Sequence, residues 1–584
     1  MADTEYRAET ILAVDFGTAT TRTSLFDVVE GVFRHIASAE APSTLQPPYS
    51  DASEGMRHAL VELQAITGRH MLNDAARLIM PAGADSHGAD VFVATSSGGP
   101  LLRAVLVGLL PEVSLNSARR VAESSYLSVV DTLSLTDRRR TDQQIDAIVK
   151  AKPNVVIIAG GTDGGASEAV LKLAEAVGLG CFRLPPEPRV RVVFMGNSAL
   201  QEKITTLLGS LADVSSAPNV QAELGHESLE AARLELGRVY QEVRFSQVGG
   251  MHELYQYAGG NFFPTAQAEA QIIRFFSRAL GAKRGVLSVN VGSASTTLAA
   301  AFNGEVTLTV APDLGLGVNA MNVMKTASLE RLARWIPGEL SAASLRDFIQ
   351  HKSIAPHTLP ADLDDLHREL ALARQAMRGA LRRARAQWPA SAAGPRADLL
   401  PWCDLIVGGG AVLSHAPTPG VAALLLLDGL EPTGITNLAL DRYHLLASLG
   451  AVAHVNPLAA VQVLESDALL DLGLTISVLG SAREGDTVCE ATLVDDAGAQ
   501  IKRTVKFGSL EVLRLAPGRT GKLTVKPRAG MDLGKGPGRG WKTDVAGSVV
   551  GLIIDARGRP LALPNSPAQR TEKLQAWISK LSEA

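Results

Sequence analysis

At 584 residues, 46% hydrophobic and only 4% aromatic, the chain is too long for one core, and two to four domains are expected. A net charge of -4 and a pI near 6.3 leave no basic excess to neutralise phosphate chains or anionic lipid, which argues against nucleic-acid and membrane-surface roles. Cys181, Cys403 and Cys489 lie far apart with no CxxC pair, so neither a disulfide framework nor a cysteine zinc site is expected. The acid-bearing start MADTEYRAET does not read as a signal peptide. No apolar run approaches the ~18–20 residues of a membrane helix. The expectation is a soluble, cytoplasmic protein with no membrane insertion and no nucleic-acid partner.

Along the chain, 11–14 reads as a buried strand, DFGTATTRT as a tight polar turn and 24–29 as the returning strand. Helical spacing of Met56, Leu60, Leu63 and Ile66 follows. Residues 91–95 predict a strand running into SSGG, and 100–110 a helix. Two more helices are predicted at 116–127 and 141–151. Residues 154–178 read as strand, glycine-rich loop and helix, an α/β unit, with the next strand at 191–195. Helices are expected to fill 198–245 and 265–281. A strand at 285–291 opens onto GSASTT and pairs with 298–302, so 11–29 and 285–302 look like internal duplicates. A long Ala- and Arg-rich helix covers 370–388, a loop 389–398, and a strand at 405–407 enters GGGAVL. From about residue 470, short alternating segments separated by Gly, Pro and Asp predict an all-β module, closed by a helix at 569–581. The basic glycine stretch KPRAGMDLGKGPGRGWK (526–542) reads as a hairpin tip or a contact for an anionic partner.

Three of these turns carry chemistry. In AVDFGTATTRTSLFD (13–27), Asp15 ends a buried strand and Gly17 lets the backbone approach an anion. The amides of residues 18–21, including Thr18 and Thr21, can converge as a nest, and Arg22 adds charge. Asp15 suits Mg²⁺ held through water. A lone hairpin of this kind reads equally well as an ordinary turn. The second, SVNVGSASTTLAAAFNG (288–304), repeats the layout one lobe later and offers Gly292, Ser293, Ser295 and Thr296. The third, DLIVGGGAVL (404–413), places Gly408, Gly409 and Gly410 where a backbone can lie against an adenine ring. In this order and spacing they imply ATP held with Mg²⁺ between two lobes.

Beyond these turns, the strings AVDFGTATTRTSLFD, ATSSGGPLLRAVLVGLLPEVSLNSARRVA, PNVVIIAGGTDGGASE, VVFMGN, APDLGLG and DLIVGGGAVLSHAP resemble the glutamate mutase L family, MutL, unrelated to the mismatch-repair protein of that name. The resemblance spans about residues 10–460. It implies an α/β, two-lobed actin-like ATPase fold and an accessory or reactivating role toward adenosylcobalamin-dependent mutases. It assigns Asp15, Gly17, Thr18, Thr21 and Arg22 to the first phosphate loop, with Arg22 where a Lys is usual. It assigns Gly408–Gly410 to the adenosine loop, and Gly160, Gly161, Asp163, Gly164 and Gly165 to a signature loop of unstated role. The second phosphate loop departs from the family's DVGGATTD-like pattern, since Asn290 and Leu298 replace its two acids. Asp313, in APDLGLG, is the nearest remaining acid that matches and joins Asp15 as a catalytic candidate.

The expected organisation is a first actin-like lobe at 1–265, a second at 266–468 and a C-terminal β-rich module at 469–584, able to fold separately. Two functions follow: an ATP-binding accessory protein for a cobalamin mutase or other enzyme complex, with slow ATPase activity, or a non-hydrolysing nucleotide-bound scaffold. A small-molecule kinase is the weaker third reading. Scattered histidines without HExxH spacing and the absence of GxSxG argue for no metalloprotease or serine-hydrolase site. Self-association is left open.

Overall fold

The run ILAVDF is buried at every position, as a central strand covered on both faces must be. The computed structural model describes residues 9–582 except 84, 339 and 467. It divides into two units, Met1–Val28 with Ile36–Ala268, and Val29–His35 with Glu269–Ala584.

The first unit opens with β1 (Ile11–Phe16), β2 (Thr20–Val29), β3 (Val32–Pro42), α1 (Ala52–Thr67) and β4 (Val91–Ser96). A long insertion follows: β5 (Leu102–Gly108), α2 (Ser114–Ala122), β6 (Leu127–Ser134), α3 (Thr141–Ala151), β7 (Val155–Ala159), α4 (Glu168–Phe182), β8 (Arg191–Phe194), α5 (Gln201–Leu208), β9 (Asp213–Ser216) and α6 (Glu230–Gln247). The chain then passes α7 (Met251–Tyr257), returns as β10 (Phe262–Pro264) and enters α8 (Thr265–Ala279), whose residues from Glu269 onward belong to the second unit. The first sheet has the order β10-β4-β1-β2-β3, with β1 antiparallel to β2 and parallel to β4. Met56, Leu60 and Leu63 of α1 pack on Leu12, Val14 and Phe16, as the helical spacing requires.

The insertion forms its own five-stranded sheet, ordered β6-β5-β7-β8-β9 and parallel throughout. The helix expected at 100–110 is therefore corrected to the strand β5. Its AVLV run is buried on both faces, and such a strand loses the alternation that would separate it from a short buried helix.

The second unit runs β11 (Gly285–Val291), β12 (Thr296–Phe302), β13 (Glu305–Ala311), α9 (Ala320–Ala327), α10 (Leu329–Ala333), α11 (Ala342–Ile354), α12 (Leu363–Arg385), β14 (Cys403–Gly409), α13 (Ala411–Ser414), α14 (Pro419–Gly429), β15 (Gly434–Leu440), α15 (Leu445–Val455) and α16 (Pro457–Leu464). Its strand sequence β13-β12-β11-β14-β15 copies β3-β2-β1-β4-β10 of the first unit. Both carry the antiparallel first pair and the parallel fourth strand. The internal duplication expected from the two turns thus extends over five strands.

The C-terminal strands are β16 (Leu470–Ser477), β17 (Thr487–Asp495), β18 (Gln500–Lys506), β19 (Leu510–Leu513), β20 (Thr520–Pro527), β21 (Trp541–Ala546) and β22 (Leu552–Asp555), followed by α17 (Pro567–Ser582). Four of them, β18-β17-β20-β21, make a separate sheet that is antiparallel at every pairing. The other three extend the lobe's own sheet as β15-β16-β22-β19. The expectation of a separable module at 469–584 is corrected on this point, because the boundary at 468 cuts between hydrogen-bonded neighbours β15 and β16. A buried ion network seals the join. Arg557 donates to Asp428 (2.7 Å) and Asp555 (2.8 Å), Arg374 to the other oxygen of Asp428 (2.8 Å), and Arg559 to Asp555 (2.7 Å). The stretch 526–542 is ordered by the Asp532 carboxylate, which accepts from the N–H groups of Gly534, Lys535 and Gly536; Trp541 starts β21.

Candidate nucleotide site

The first hairpin turns between Phe16 and Thr21, the closing rung of β1 and β2. Gly17 N–H donates to Thr20 O at 2.9 Å. A Cβ on Gly17 would sit 2.8 Å from that same oxygen, so the tightness of the turn requires glycine. Asp15, 9% exposed, lies one rung back. Its Oδ1 accepts from Thr95 Oγ1 and Thr265 Oγ1, both at 2.7 Å. Oδ2 has no partner among the described residues. A carboxylate so fixed on one oxygen is prepared to orient a hydrated cation with the other. The SSGG turn after β4 lies directly on this hairpin. Ser97 and Gly98 N–H donate to Phe16 O, and a Cβ on Gly98 would fall 2.6 Å from Gly17 O.

Of the residues expected to meet phosphate, Arg22 is paired with a carboxylate and Thr21 is turned into the core. Arg22 Nε donates to Glu40 at 2.9 Å. The Thr21 side chain is fully buried and faces α1, where a Cβ on Gly55 would sit 2.9 Å from its Oγ1. The loop therefore offers an anion mainly backbone amides, with Thr18 at its tip.

The second hairpin has the same construction. It closes on Val291 and Thr296, and Gly292 N–H donates to Ser295 O, again at 2.9 Å. APDLGLG packs beneath it: Leu316 and Gly317 N–H donate to Gly292 O and Ser293 O, and a Cβ on Gly315 or Gly317 would collide with Ser293. Asn290 stands at the rung that Asp15 occupies in the first hairpin. Its Nδ2 donates to Glu269 Oε2 at 3.2 Å, and Glu269 is only 2% exposed. The sequence reading missed this carboxylate because α8 precedes the hairpin and no local motif marks it. Leu298 pairs with Val289 and is 1% exposed within the apolar core. An acid there would be buried among aliphatic side chains.

Asp313, the other catalytic candidate, is held bidentately by Arg383 at 2.5 and 2.8 Å. Burial alone would raise its pKa, but the guanidinium more than offsets this and holds it below the ordinary value. The glycine turn Gly408–Gly410 ends β14 beside this hairpin. Gly409 is in register with Asn290. Gly410 has φ +91°, and a Cβ there would overlap Val291 O. Gly160, Gly161 and Asp163 lie elsewhere, in the loop after β7 of the inserted sheet.

Duplicated 3-2-1-4-5 sheets, each with a glycine hairpin between its first two strands, define the actin-like ATPase fold, a class of nucleotide-binding proteins. The chain belongs to the MutL protein family, whose model matches residues 11–468. It is 22% identical over 490 residues to Protein MutL of Clostridium tetanomorphum, covering 78% of this chain and 98% of that one. Among solved structures it is similar to nucleotide-free acetone carboxylase (11% identity, TM-score 0.34, 76% of this chain and 70% of that). Ethanolamine utilization protein EutJ from Carboxydothermus hydrogenoformans is another (11% identity, TM-score 0.25, 76% and 90%). Among the described residues no helix is long and apolar enough to cross a membrane.

Proposed function

We propose that the chain binds Mg²⁺-ATP and acts as an accessory, reactivating protein for an adenosylcobalamin-dependent mutase or a related enzyme complex. The observation that carries the nucleotide reading is the pair of matching hairpins, each closed by a 2.9 Å bond from its glycine. In this reading the amides of residues 17–20 and 292–295 meet the phosphates, Gly408–Gly410 line the adenosine, and Asp15 orients Mg²⁺ through water. When bound, Mg²⁺ supplies charge neutralisation on the phosphates. The family to which the chain belongs supports the accessory role and the mutase as target. The second reading, a non-hydrolysing scaffold, is favoured by Asn290 and Leu298.

The accessory role has a direct test. A carbon-skeleton mutase that has lost activity during turnover should regain it when this protein and Mg²⁺-ATP are added together, and with neither alone. If no mutase from the same organism regains activity, the accessory reading falls, while nucleotide binding is judged separately.

A further inference from the structure

The inserted sheet has a ligand-binding topology of its own. Its strands follow the order 2-1-3-4-5, and its helices divide unequally between the faces. Residues of α3, α4 and α5 share one core with β5, β7 and β8, whereas α2 packs with α6. The chain leaves β5 toward one side of the sheet and β7 toward the other. The switch point is therefore the crevice beyond the carboxyl ends of β5 and β7, where doubly wound sheets take their ligands.

What lines this crevice is specific. The loop after β7 is GGTDGG, and Gly160, Gly161 and Gly164 all have positive φ. Bare backbone forms the floor: a Cβ on Gly160 would strike Leu109, and one on Gly196 would lie 2.5 Å from Gly160 O. Among the described residues the N–H groups of Gly161, Thr162, Ala166 and Ser167 have no protein partner. Asp163 is exposed but not loose, since its Oδ1 accepts from Ser198 N–H and Asn219 Nδ2, both at 2.9 Å. Those bonds hold its carboxyl below the ordinary value. Leu110 after β5 and Leu224 after β9 expose apolar surface at the same edge. A cleft of about 410 Å³ adjoins through Pro111 and carries Asn116, Arg119 and Arg139.

We propose that this edge is a second small-molecule site, separate from the hairpin loops, for a ligand of the mononucleotide class. Backbone amides of the glycine loop meet its phosphate, Asp163 accepts from its sugar hydroxyls, and the exposed leucines flank its planar base. The four free N–H groups supply donors without a cation, and the carboxylate supplies an acceptor that a phosphate alone would not need.

The test is calorimetry on the full chain with the hairpin loops saturated by a non-hydrolysable Mg²⁺-ATP analogue, titrating AMP and then FMN. At least one should bind. Asp163→Asn, which keeps an acceptor for Ser198, should weaken it about tenfold or more, the scale of a charged hydrogen bond. Gly161→Val should abolish it, and Asp15→Ala should leave it unchanged. The proposal is overturned if neither ligand binds, if Asp163→Asn has no effect, or if Asp15→Ala removes the binding. Because Asp15→Ala reports only on the hairpin site, failure of one site is distinguishable from failure of the other.

Discussion

A chain ending at residue 468 is expected to lose cooperative folding of its second unit. The cut removes β16, turning β15 into a raw sheet edge. It also removes Leu472, Ile553, Leu574, Trp577 and Leu581 from the same core that holds Leu425 and Met377. Burying one such side chain is worth roughly 1.5–3 kcal/mol, so five of them rival the ~5–15 kcal/mol stability of a whole domain. The ion network adds to the loss. Without Arg557, Asp428 keeps only Arg374 in a site where both are buried, and breaking such a set typically costs about 3–5 kcal/mol. Arg557→Ala in the full chain isolates that part and should lower stability by about this amount.

The network also fixes the pH response. Burial alone would raise the Asp555 pKa, but Arg557 and Arg559 hold it well below the carboxylate range. Its contribution is therefore present above the ordinary carboxylate pKa and is lost as pH falls toward the folded value. Circular dichroism melting of the 1–468 fragment, the full chain and Arg557→Ala decides the matter. A fragment melting as sharply as the full chain would show that the C-terminal strands are dispensable for the second unit's core.

Glu269→Gln should lower ATP turnover by about 10²–10⁴, the usual cost of losing a catalytic acid. Its buried carboxylate accepts from Asn290, at the rung where the family pattern has Asp. Wild-type turnover itself is expected to lie well below the ~1 s⁻¹ of working enzymes, since Asn290 stands between that carboxylate and the hairpin. Asn290→Asp alone should not raise the rate, because two carboxylates about 3 Å apart cannot both ionise freely. Combined with Glu269→Gln it restores a single charge and should recover part of the loss. The double change Asn290→Asp with Leu298→Asp, which the motif comparison suggests as a repair, should instead unfold the protein: Leu298 is core, and a carboxylate there has no partner to offset its desolvation. Phosphate release by the five proteins, with melting as the fold control, separates these outcomes. If Glu269→Gln turns over like the wild type, the carboxylate has no part in hydrolysis and the scaffold reading gains.

Local features of this fold were legible where local physics decides them. The DFGTATTRT and NVGSASTT turns announced two hairpins because Gly, hydroxyls and flanking apolar runs are short-range signals. The strand–loop–helix at 154–178 read correctly for the same reason. What stayed hidden was set by distant chain. Thr265 reaches Asp15 across 250 positions, and Glu269, on the same helix α8, meets Asn290 of β11 with no local motif to mark the pairing. Period-two segments after 470 were read as a detached module, yet alternation says only that a strand is half-buried, not which sheet it joins. GGTDGG stood out in composition, but its place at a switch point depends on the order of five strands.

Calorimetric titration of the full chain with Mg²⁺-ATP, paired with thermal melting, decides whether the matching glycine hairpins make a Mg²⁺-nucleotide site. Binding should be saturable, with stabilisation of roughly 2.7 kcal/mol at ~100-fold the Kd, and Asp15→Ala should lose most of both. No heat and no shift in melting with ATP, ADP or GTP in the presence of Mg²⁺ would contradict such a site.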